Sequence, residues 1–350
     1  LLSGWHVEAE GKVYRQPGEI KMQVSSGIDW FELHGAVDFG GVVAKLPELL
    51  AALRRGETMV KLGDGTFGLL PEEWLNKYGL LAGLGETHED HLRFKRTQVG
   101  VLDALLATQP QATFDEAFGH AREALKNFDG VRLAEPPQGF QGTLRPYQKE
   151  GLGWLHFLRQ FDFGGCLADD MGLGKTVQVL ALLEERRQLR RSSQSAAAVK
   201  SADSTAVLAP SLVVVPKSLV FNWRQEAARF APEMRVLDHT GQSRLRGETA
   251  HFEDYDVILT TYGTLRNDVE DLKDTKFDYV VLDEAQFIKN AKAHMTQIVH
   301  QLSARHRICL TGTPLENHLG ELWSLFHFLQ PGFLGDEKAF NSTFRRPIEK

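Results

Sequence analysis

A glycine-rich turn between an apolar run and a helical pattern constrains the fold of this sequence most. Residues 167–176 read LADDMGLGKT, and the residues after them have the apolar spacing of a helix. Gly172 and Gly174 let the backbone curl, so that successive N–H groups converge on a phosphate at the positive end of that helix. Lys175 adds a charge for the outer phosphates, and Thr176 adds a hydroxyl for Mg²⁺. The segment therefore predicts a strand, a phosphate-binding loop and a helix, in that order.

A second apolar run ends in the acidic residues that a nucleotide site requires. Residues 277–282 read FDYVVL, which is typical of a buried strand in a parallel sheet, and the next four residues are DEAQ. Open α/β sheets bind ligands at the carboxyl ends of their strands. In that setting Asp283 would hold Mg²⁺, and Glu284 would polarise the water that attacks the γ-phosphate. The alternative, a solvated acidic turn, is disfavoured by the phosphate loop upstream.

Size and composition limit the class of protein. With 350 residues, 42% hydrophobic and 25% charged, the chain has room for about two or three globular domains. No apolar run reaches the roughly 20 residues of a bilayer span, and the N-terminal residues form no signal peptide, so the cytoplasm is the predicted compartment. Cys166 and Cys309 lie in apolar runs, which predicts buried thiols and neither a disulfide nor a metal site. The net charge of -6 indicates no nucleic-acid footprint over the whole chain, although it allows a local basic groove.

The first 135 residues have a small α+β character of their own. Alternation over 31–39 predicts a half-buried strand, helical spacing after Pro47 predicts a helix, and Asp64-Gly65 predicts a hairpin turn. Further helices are predicted over 71–75, 92–106 and 113–128, the last from a capping-box pattern at Thr113 and Glu116. We expect an accessory domain over 1–135, with an α+β part at about 27–75 and a helical part at about 88–130, and we find no chemistry in it. Residues 135–139, EPPQG, predict a linker.

The remaining residues, 136–350, alternate strands and helices, which predicts a parallel sheet covered on both faces. The predicted strands are 164–167, 212–215, 257–260, 279–282 and 307–310. A segment rich in Ser and Ala, 190–209, interrupts the pattern and is interpreted as a mobile surface insertion.

Several motifs occur in a fixed order through this second region. They are LRPYQ at 144–148 with Gly151 and Trp154, the phosphate loop, PKSL at 216–219 with Asn222 and Trp223, TTY at 260–262, DEAQ at 283–286, TGTPLEN at 311–317 and ELWSL at 321–325. In this order they make residues 142–335 resemble the first RecA-like lobe of the Swi/Snf-type ATPases, the DNA translocases of helicase superfamily two. Asp169 stands where the strict phosphate-loop pattern has Gly, and an acidic residue there is the family's own form.

The resemblance implies a role for individual residues and implies ATP and Mg²⁺ as cofactors. Gln148, with Arg145, would bind the adenine, because a side-chain amide matches both its donor and acceptor edges. The remaining implied roles fall into four sets: phosphate binding by Asp170, Met171, Gly172, Leu173, Gly174, Lys175 and Thr176; Mg²⁺ binding by Thr176 and Asp283; catalysis by Glu284, Lys175 and Gln286; and coupling of hydrolysis to movement by Thr311, Gly312 and Thr313. The residues implied to contact the DNA backbone come at or after the ends of strands: Lys217, Ser218, Thr260, Thr261 and Tyr262. Contacts of this kind hold the duplex without reading its sequence.

The function implied is the ATP-binding half of an ATP-dependent motor on double-stranded DNA. The sequence begins without an initiator methionine and ends without a closing element, so we expect it to be part of a longer protein. The family's second lobe, with the arginines that complete the ATP site, has no counterpart here, so we expect the chain alone to hydrolyse ATP hardly at all. The first 135 residues more loosely resemble the accessory region of bacterial members, which implies a bacterial, nucleoid-associated protein with a protein partner for that region. Two alternatives are a strand-separating helicase on RNA or DNA, and a module that merely holds ATP or a partner.

Overall fold

The computed structural model describes residues 7–9, 12–27, 30–71, 74, 84–107, 109, 112–199, 208–242, 244, 247 and 249–349. These residues form two compact units. One contains Leu1–Asp129 and Gly332–Ile348, and the other contains Gly130–Pro331. The domain boundary near residue 135 stays a prediction.

Two sheets and the helices packed on them make up the described part of the first unit. The strands are β1 Val7–Ala9, β2 Lys12–Arg15, β3 Ile20–Ser26, β4 Trp30–Asp38, β5 Val43–Lys45, β6 Met59–Lys61, β7 Phe67–Leu69, β8 Glu86–Thr87, β9 His91–Lys95 and β10 Thr113–Phe114. One sheet has the order β1-β2-β7-β6 and the other β10-β3-β4-β9-β8, with β5 paired to β4. The helices are α1 Leu46–Arg54, α2 Val99–Leu106 and α3 Glu116–Lys126, with a 3₁₀ turn at Arg96–Gln98.

Three of the local predictions for this unit are confirmed. In β4 every second side chain from Phe31 to Val37 is buried, as the alternation predicts. Helix α1 begins at Leu46 with Pro47 in its first turn, and β6 and β7 form a hairpin around Gly65, whose φ is +86°.

The helical predictions are wrong at two boundaries. Residues 92–106 do not form one helix, because β9 buries Leu92 and Phe94 on alternate positions before α2 begins at Val99. Thr113 lies in β10 and does not cap α3; Asp115 caps it by accepting a hydrogen bond from the Phe118 N–H. Most of the helix predicted over 71–75 lies outside the described residues.

The second unit is built on one parallel sheet. Its described strands are β11 Gly165–Leu167, β12 Ser211–Val215, β13 Val236–Asp238, β14 Val257–Thr261, β15 Lys276–Asp283 and β16 Ser303–Leu310, in the order β11-β16-β15-β12-β14-β13. Every pairing between them is parallel. The strands predicted from sequence are therefore confirmed, and β13 was missed because it is short and only half-buried.

Helices cover both faces of this sheet. In β12, Val213 and Val215 pack into one hydrophobic cluster, whereas Leu212 and Val214 pack into another. The helices are α4 Pro146–Gln160, α5 Lys175–Val199, α6 Val220–Phe230, α7 Tyr262–Leu272, α8 His294–His300 and α9 Leu319–Leu329. Short 3₁₀ turns lie at Lys217–Leu219, Ala250–Asp254 and Ala285–Ile288. The first unit also contains α10 Glu337–Phe340, a π turn over Asn341–Arg345 and α11 Arg346–Ile348. The predicted α/β fold, a parallel sheet with helices on both faces, is confirmed.

The predicted insertion does not begin at Arg190. Helix α5 continues to Val199, and the buried Arg190 guanidinium donates hydrogen bonds to the carbonyls of Tyr255 and Glu253. Residues 200–207 of that prediction lie outside the described residues.

The two cysteines are free thiols on neighbouring strands, and Cys309 is buried while Cys166 is partly so. Burial raises the pKa of Cys166 to about 11. Among the described residues no helix is long and apolar enough to cross a bilayer.

Candidate nucleotide-binding site

The phosphate loop connects β11 to the first residue of α5. Gly172 and Gly174 have φ angles of +81° and +79°, a region that strains any residue with a side chain. A Cβ at Gly174 would also lie 2.6 Å from the Gln148 Nε2 atom, whereas one at Gly172 would meet open space. Both glycines are therefore favoured by their backbone conformation, and a side chain at position 174 would also displace the Gln148 amide.

Lys175 folds back over this loop. Its Nζ donates hydrogen bonds to the Asp169 carbonyl at 2.6 Å and to the Asp170 carbonyl at 3.1 Å. The Asp169 carboxylate in turn accepts a hydrogen bond of 2.9 Å from Gln178 Nε2, on the buried side of α5. The aspartate that replaces the usual glycine thus ties the loop to the helix that follows it.

Gln148 lies against the phosphate loop, and both ends of its amide have partners. Its Oε1 accepts from the Arg145 N–H at 2.9 Å, and its Nε2 donates to the Leu173 carbonyl at 3.0 Å. Tyr147 donates its hydroxyl to the same carbonyl at 3.0 Å, a contact that the sequence did not reveal. The first turn of α4 therefore holds the loop in place, and adenine binding by Gln148 and Arg145 stays a prediction.

The buried carboxylate of Asp283 lies at the end of β15. Its Oδ2 accepts a hydrogen bond of 2.7 Å from the Trp223 indole N–H, and its Oδ1 accepts one of 2.9 Å from the Glu284 N–H. Burial raises the pKa of Asp283, while the Trp223 and Glu284 hydrogen bonds and the Lys175 charge oppose that rise. Tyr262 donates its hydroxyl to the Asp283 carbonyl at 2.8 Å. Asp283 is thus held in place by Trp223 and Tyr262, which belong to the two segments that the sequence predicts to contact DNA.

Glu284 turns the chain away from the strand. It has φ +51° and ψ +56°, the left-handed conformation that costs a non-glycine residue about 1 kcal/mol or more. Gln286 Nε2 donates to Glu284 Oε2 at 2.9 Å, and Gln286 Oε1 accepts from the Thr311 hydroxyl at 3.3 Å. The Thr311 hydroxyl also accepts from the Thr313 N–H at 3.1 Å. We call Glu284, Gln286, Thr311 and Thr313 the relay.

The relay lies next to the phosphate loop. A Cβ placed on Gly312 would be 3.5 Å from the Met171 Cγ atom, and the Thr311 N–H donates to the Leu167 carbonyl at 3.3 Å. The structure therefore brings the predicted catalytic and coupling residues to the edge of the sheet that carries the loop.

A basic cleft of about 690 Å³ opens where β12, β13 and β14 end. Its lining includes Lys217, Phe221, Arg224, Thr240, Gly241, Arg244, Thr261, Thr264 and Arg266. Lys217 and Arg266 form no ion pair with any described residue, whereas Arg224 contacts Asp238 at 3.0 Å and Arg244 pairs with Asp268. Sequence analysis missed the three arginines because they come from separate segments of an acidic chain.

The residues predicted to contact DNA divide into two groups. Lys217 and Ser218 are exposed, and Thr261 lines the cleft as the N-cap of α7. Thr260 is fully buried, with its hydroxyl donating to the His239 carbonyl at 3.0 Å, and Tyr262 is 5% exposed. We therefore restrict the proposed backbone contacts to Lys217, Ser218 and Thr261, because Thr261 lines the cleft whereas Thr260 and Tyr262 do not.

A glycine-rich loop after one strand, acidic residues after a second and a threonine-bearing turn after a third form the arrangement of the P-loop nucleotide-binding proteins. The family model of the SNF2-related domain matches residues 147–350, and the chain belongs to that family. The predicted Swi/Snf-type family is thereby confirmed.

Relatives from distant organisms agree with this membership. The chain is 43% identical over 213 residues to the putative ATP-dependent helicase/translocase YwqA of Bacillus subtilis, covering 60% of this chain and 22% of YwqA. It is 41% identical over 213 residues to the TATA-binding protein-associated factor MOT1 of Saccharomyces cerevisiae, covering 61% of this chain and 11% of MOT1. The chain thus spans about a fifth or less of these relatives.

A solved structure agrees as well. The Sulfolobus solfataricus SWI2/SNF2 ATPase core in complex with dsDNA superimposes with a TM-score of 0.53 at 40% identity, over 62% of this chain and 42% of that one. The predicted RecA-like fold of the second unit matches this core.

Proposed function

We infer that this chain is the ATP-binding half of an ATP-dependent motor that, in the whole protein, moves along double-stranded DNA. The observation that carries this proposal is the relay, in which the Gln286 amide joins Glu284 to Thr311 beside the phosphate loop. Such a connection lets the presence or loss of a γ-phosphate change the turn that contains Gly312. It is supported by family membership and by relatives described as an ATP-dependent helicase/translocase and as an ATPase core bound to dsDNA.

ATP would be held by the loop and by the start of α5. The N–H groups of the loop and the α5 N-terminus suit phosphate oxygens, and Lys175 would exchange its two carbonyl contacts for the outer phosphates. The Asp283 carboxylate and the Thr176 hydroxyl are oxygen ligands of the kind that Mg²⁺ prefers. When bound there, Mg²⁺ neutralises charge on the β- and γ-phosphates.

Hydrolysis would depend on Glu284. Its carboxylate would orient the attacking water and accept its proton, and the hydrogen bond from Gln286 fixes the position of that carboxylate. Gln286 would sense the γ-phosphate, and Thr311 and Thr313 would pass its loss to the rest of the unit.

DNA would lie along the basic cleft. The exposed Lys217 and Ser218 would offer an ammonium and a hydroxyl to phosphates, with Thr261 in the wall of the cleft. Contacts of this kind hold duplex without reading its sequence. Trp223 and Tyr262 belong to the same two segments and bond Asp283, so they connect the cleft with the proposed Mg²⁺ ligand.

Replacing Lys175 tests the nucleotide site directly. We expect Lys175→Ala to weaken binding of a fluorescent ATP analogue with Mg²⁺ strongly, because the variant loses the only lysine of the loop. Lys273→Ala is the matched control, since Lys273 lies at the end of α7 in an exposed ion pair with Glu270. Equal affinity in Lys175→Ala and the parent chain would reject the assigned site.

Two alternative functions make different predictions. A strand-separating helicase would be stimulated by single strands or forked ends, whereas the proposed motor would be stimulated by intact duplex in the whole protein. A module that only holds ATP would show no DNA-dependent hydrolysis in the whole protein. The protein partner of the first unit and the bacterial, nucleoid-associated location stay predictions.

A further inference from the structure

We propose that the first unit binds a transition-metal dication of the Zn²⁺ class through Glu32, His34 and His91. These residues lie on one face of the paired strands β4 and β9, where His34 is directly opposite His91 and Glu32 is opposite Arg93. The other face of the same strands buries Phe31, Leu33, Leu92 and Phe94 in the hydrophobic core. The cluster is therefore mounted on a rigid support, which suits a metal site.

The separation of the ligand atoms suits a metal ion. One ligand atom from each of the three residues lies within 4.8 Å of the other two. His34 Nε2 is 3.7 Å from Glu32 Oε2, and His91 Nε2 is 3.7 Å from Glu32 Oε1. Tetrahedral Zn²⁺ bonded at roughly 2.1 Å separates its ligand atoms by about 3.4 Å. Small side-chain rotations would bring the cluster to that geometry.

His91 gives a second, independent observation. Its Nδ1 lies 2.8 Å from the Asp90 carboxylate, while its Nε2 is shielded from solvent and has no hydrogen-bond partner among the described residues. Its ring also stacks on His88 at 4.8 Å with an interplanar angle of 8°. A carboxylate on one ring nitrogen, with the other directed at a ligand carboxylate, is the arrangement that orients metal-bound histidines.

The charge of the cluster has an opposing component. Glu32 Oε1 accepts hydrogen bonds from the Trp30 indole at 2.9 Å and from Arg93 at 3.3 Å. The Arg93 charge disfavours a nearby dication. Glu32 Oε2 is the oxygen on the His34 side and would be the ligand. Two imidazoles and one carboxylate leave a fourth position for water or for a partner's ligand.

The site is separate from the proposed motor chemistry. Its ligands all belong to the first unit, and the nucleotide site is formed by residues of the second. A cluster of ion pairs without metal is the competing explanation, and it makes the opposite prediction for metal binding.

A titration of the whole 350-residue chain with Zn²⁺ tests the proposal. The chain is first treated with a chelator and then titrated by calorimetry in excess Mg²⁺, so that oxygen ligands near Asp283 do not contribute heat. We expect saturable binding of one ion, weakened at least about tenfold in His34→Ala and His91→Ala, and weakened by about 10- to 100-fold in Asp90→Asn, which removes only the orienting carboxylate. His120→Ala is the matched control, because His120 is an exposed histidine on α3 of the same unit and should leave affinity unchanged.

A second measurement keeps the result independent of folding defects. Co²⁺ in place of Zn²⁺ should give the visible absorption of a tetrahedral site in the parent chain and in His120→Ala, and lose it in His34→Ala, whose circular dichroism should match the parent. The absence of saturable Zn²⁺ binding, or binding that persists in the His34→Ala/His91→Ala double variant, would overturn the proposal.

Discussion

Replacing Trp223 by Phe removes one hydrogen bond from the proposed Mg²⁺ ligand while keeping an aromatic ring in place. The indole N–H donates to Asp283 Oδ2 at 2.7 Å, and both residues are buried, at 2% and 6% exposure. The variant leaves the Asp283 carboxylate with the Glu284 N–H as its remaining donor among the contacts described above. The carboxylate becomes freer to rotate and easier to protonate, so its affinity for Mg²⁺ falls.

The size of the effect follows from the kind of bond lost. A hydrogen bond to a charged group contributes about 1.5–3 kcal/mol, and each 1.4 kcal/mol corresponds to roughly a factor of ten. Part of the loss will lower the free energy of unfolding instead of the affinity. We therefore expect Mg²⁺-dependent ATP binding to weaken by about tenfold, with binding in the absence of Mg²⁺ unchanged.

The assay is a Mg²⁺ titration at a fixed concentration of a fluorescent ATP analogue. Phe221→Leu is the matched control, because Phe221 lies on the same helix and is 74% exposed. A double-mutant cycle with Asp283→Asn separates the direct effect from general damage, since Trp223→Phe should cost little more once the carboxylate is absent. An equal Mg²⁺ dependence in Trp223→Phe and the parent chain, or a full tenfold loss in the Asp283→Asn background, would refute the reasoning.

Three further predictions concern hydrolysis, DNA and pH. The 350-residue chain should release phosphate from ATP very slowly with or without DNA, because an arginine from an opposite lobe contributes roughly 10³–10⁵ in rate. In a protein that includes that lobe, Glu284→Gln should abolish hydrolysis and spare ATP binding. Brisk, Lys175-dependent turnover by the 350-residue chain alone would contradict this prediction. Lys217→Ala should weaken DNA binding equally across sequences and reduce the salt slope by about 1 without changing nucleotide affinity, measured by fluorescence anisotropy against Lys273→Ala. Burial lowers the pKa of His306 to about 4, so the folded state binds this proton less readily than the unfolded chain does. The free energy of unfolding is therefore unaffected by His306 above its unfolded pKa of about 6.5, and it decreases as the pH falls from there towards 4. Between pH 7 and pH 5 this titration lowers the free energy of unfolding by about 2 kcal/mol. Urea unfolding at both pH values should show a smaller decrease in His306→Phe than in the parent chain.

Sequence predicts the features that depend on local pattern. The glycines of the phosphate loop, the buried strands of the sheet and the acidic end of β15 all follow from residue type and spacing, and the structure has them. The environment of a residue at the end of a strand is harder to predict, because its side chain can face either the cleft or the interior. All three residues of the tripeptide TTY are buried, yet of the three Thr261 alone lines the cleft, and nothing in the tripeptide distinguishes it.

Contacts between segments that are distant in the chain could not be predicted from the sequence pattern. The Trp223 bond to Asp283 requires α6 to lie across the end of β15, and the arginines of the cleft meet only when the sheet is assembled. The cluster of Glu32, His34 and His91 depends on the register of β4 with β9, which the incorrect helix prediction over 92–106 concealed.

The place of β11 in the sheet affects when during folding this chain could first bind nucleotide. Strand β11 lies at the edge of the described sheet and pairs with β16, with Gly165 opposite Ile308 and Leu167 opposite Leu310. Contacts between residues so far apart in sequence form slowly, because the entropy cost of closing a long loop comes before any hydrogen bond can offset it. A nascent chain that has not yet emerged as far as β16 would contain the phosphate loop and its hydrogen bonds to α4, but not the pairing that holds β11 in the sheet. Competence to bind ATP would therefore arise among the last steps of folding, and nucleotide present at that moment would slow the reopening of this edge.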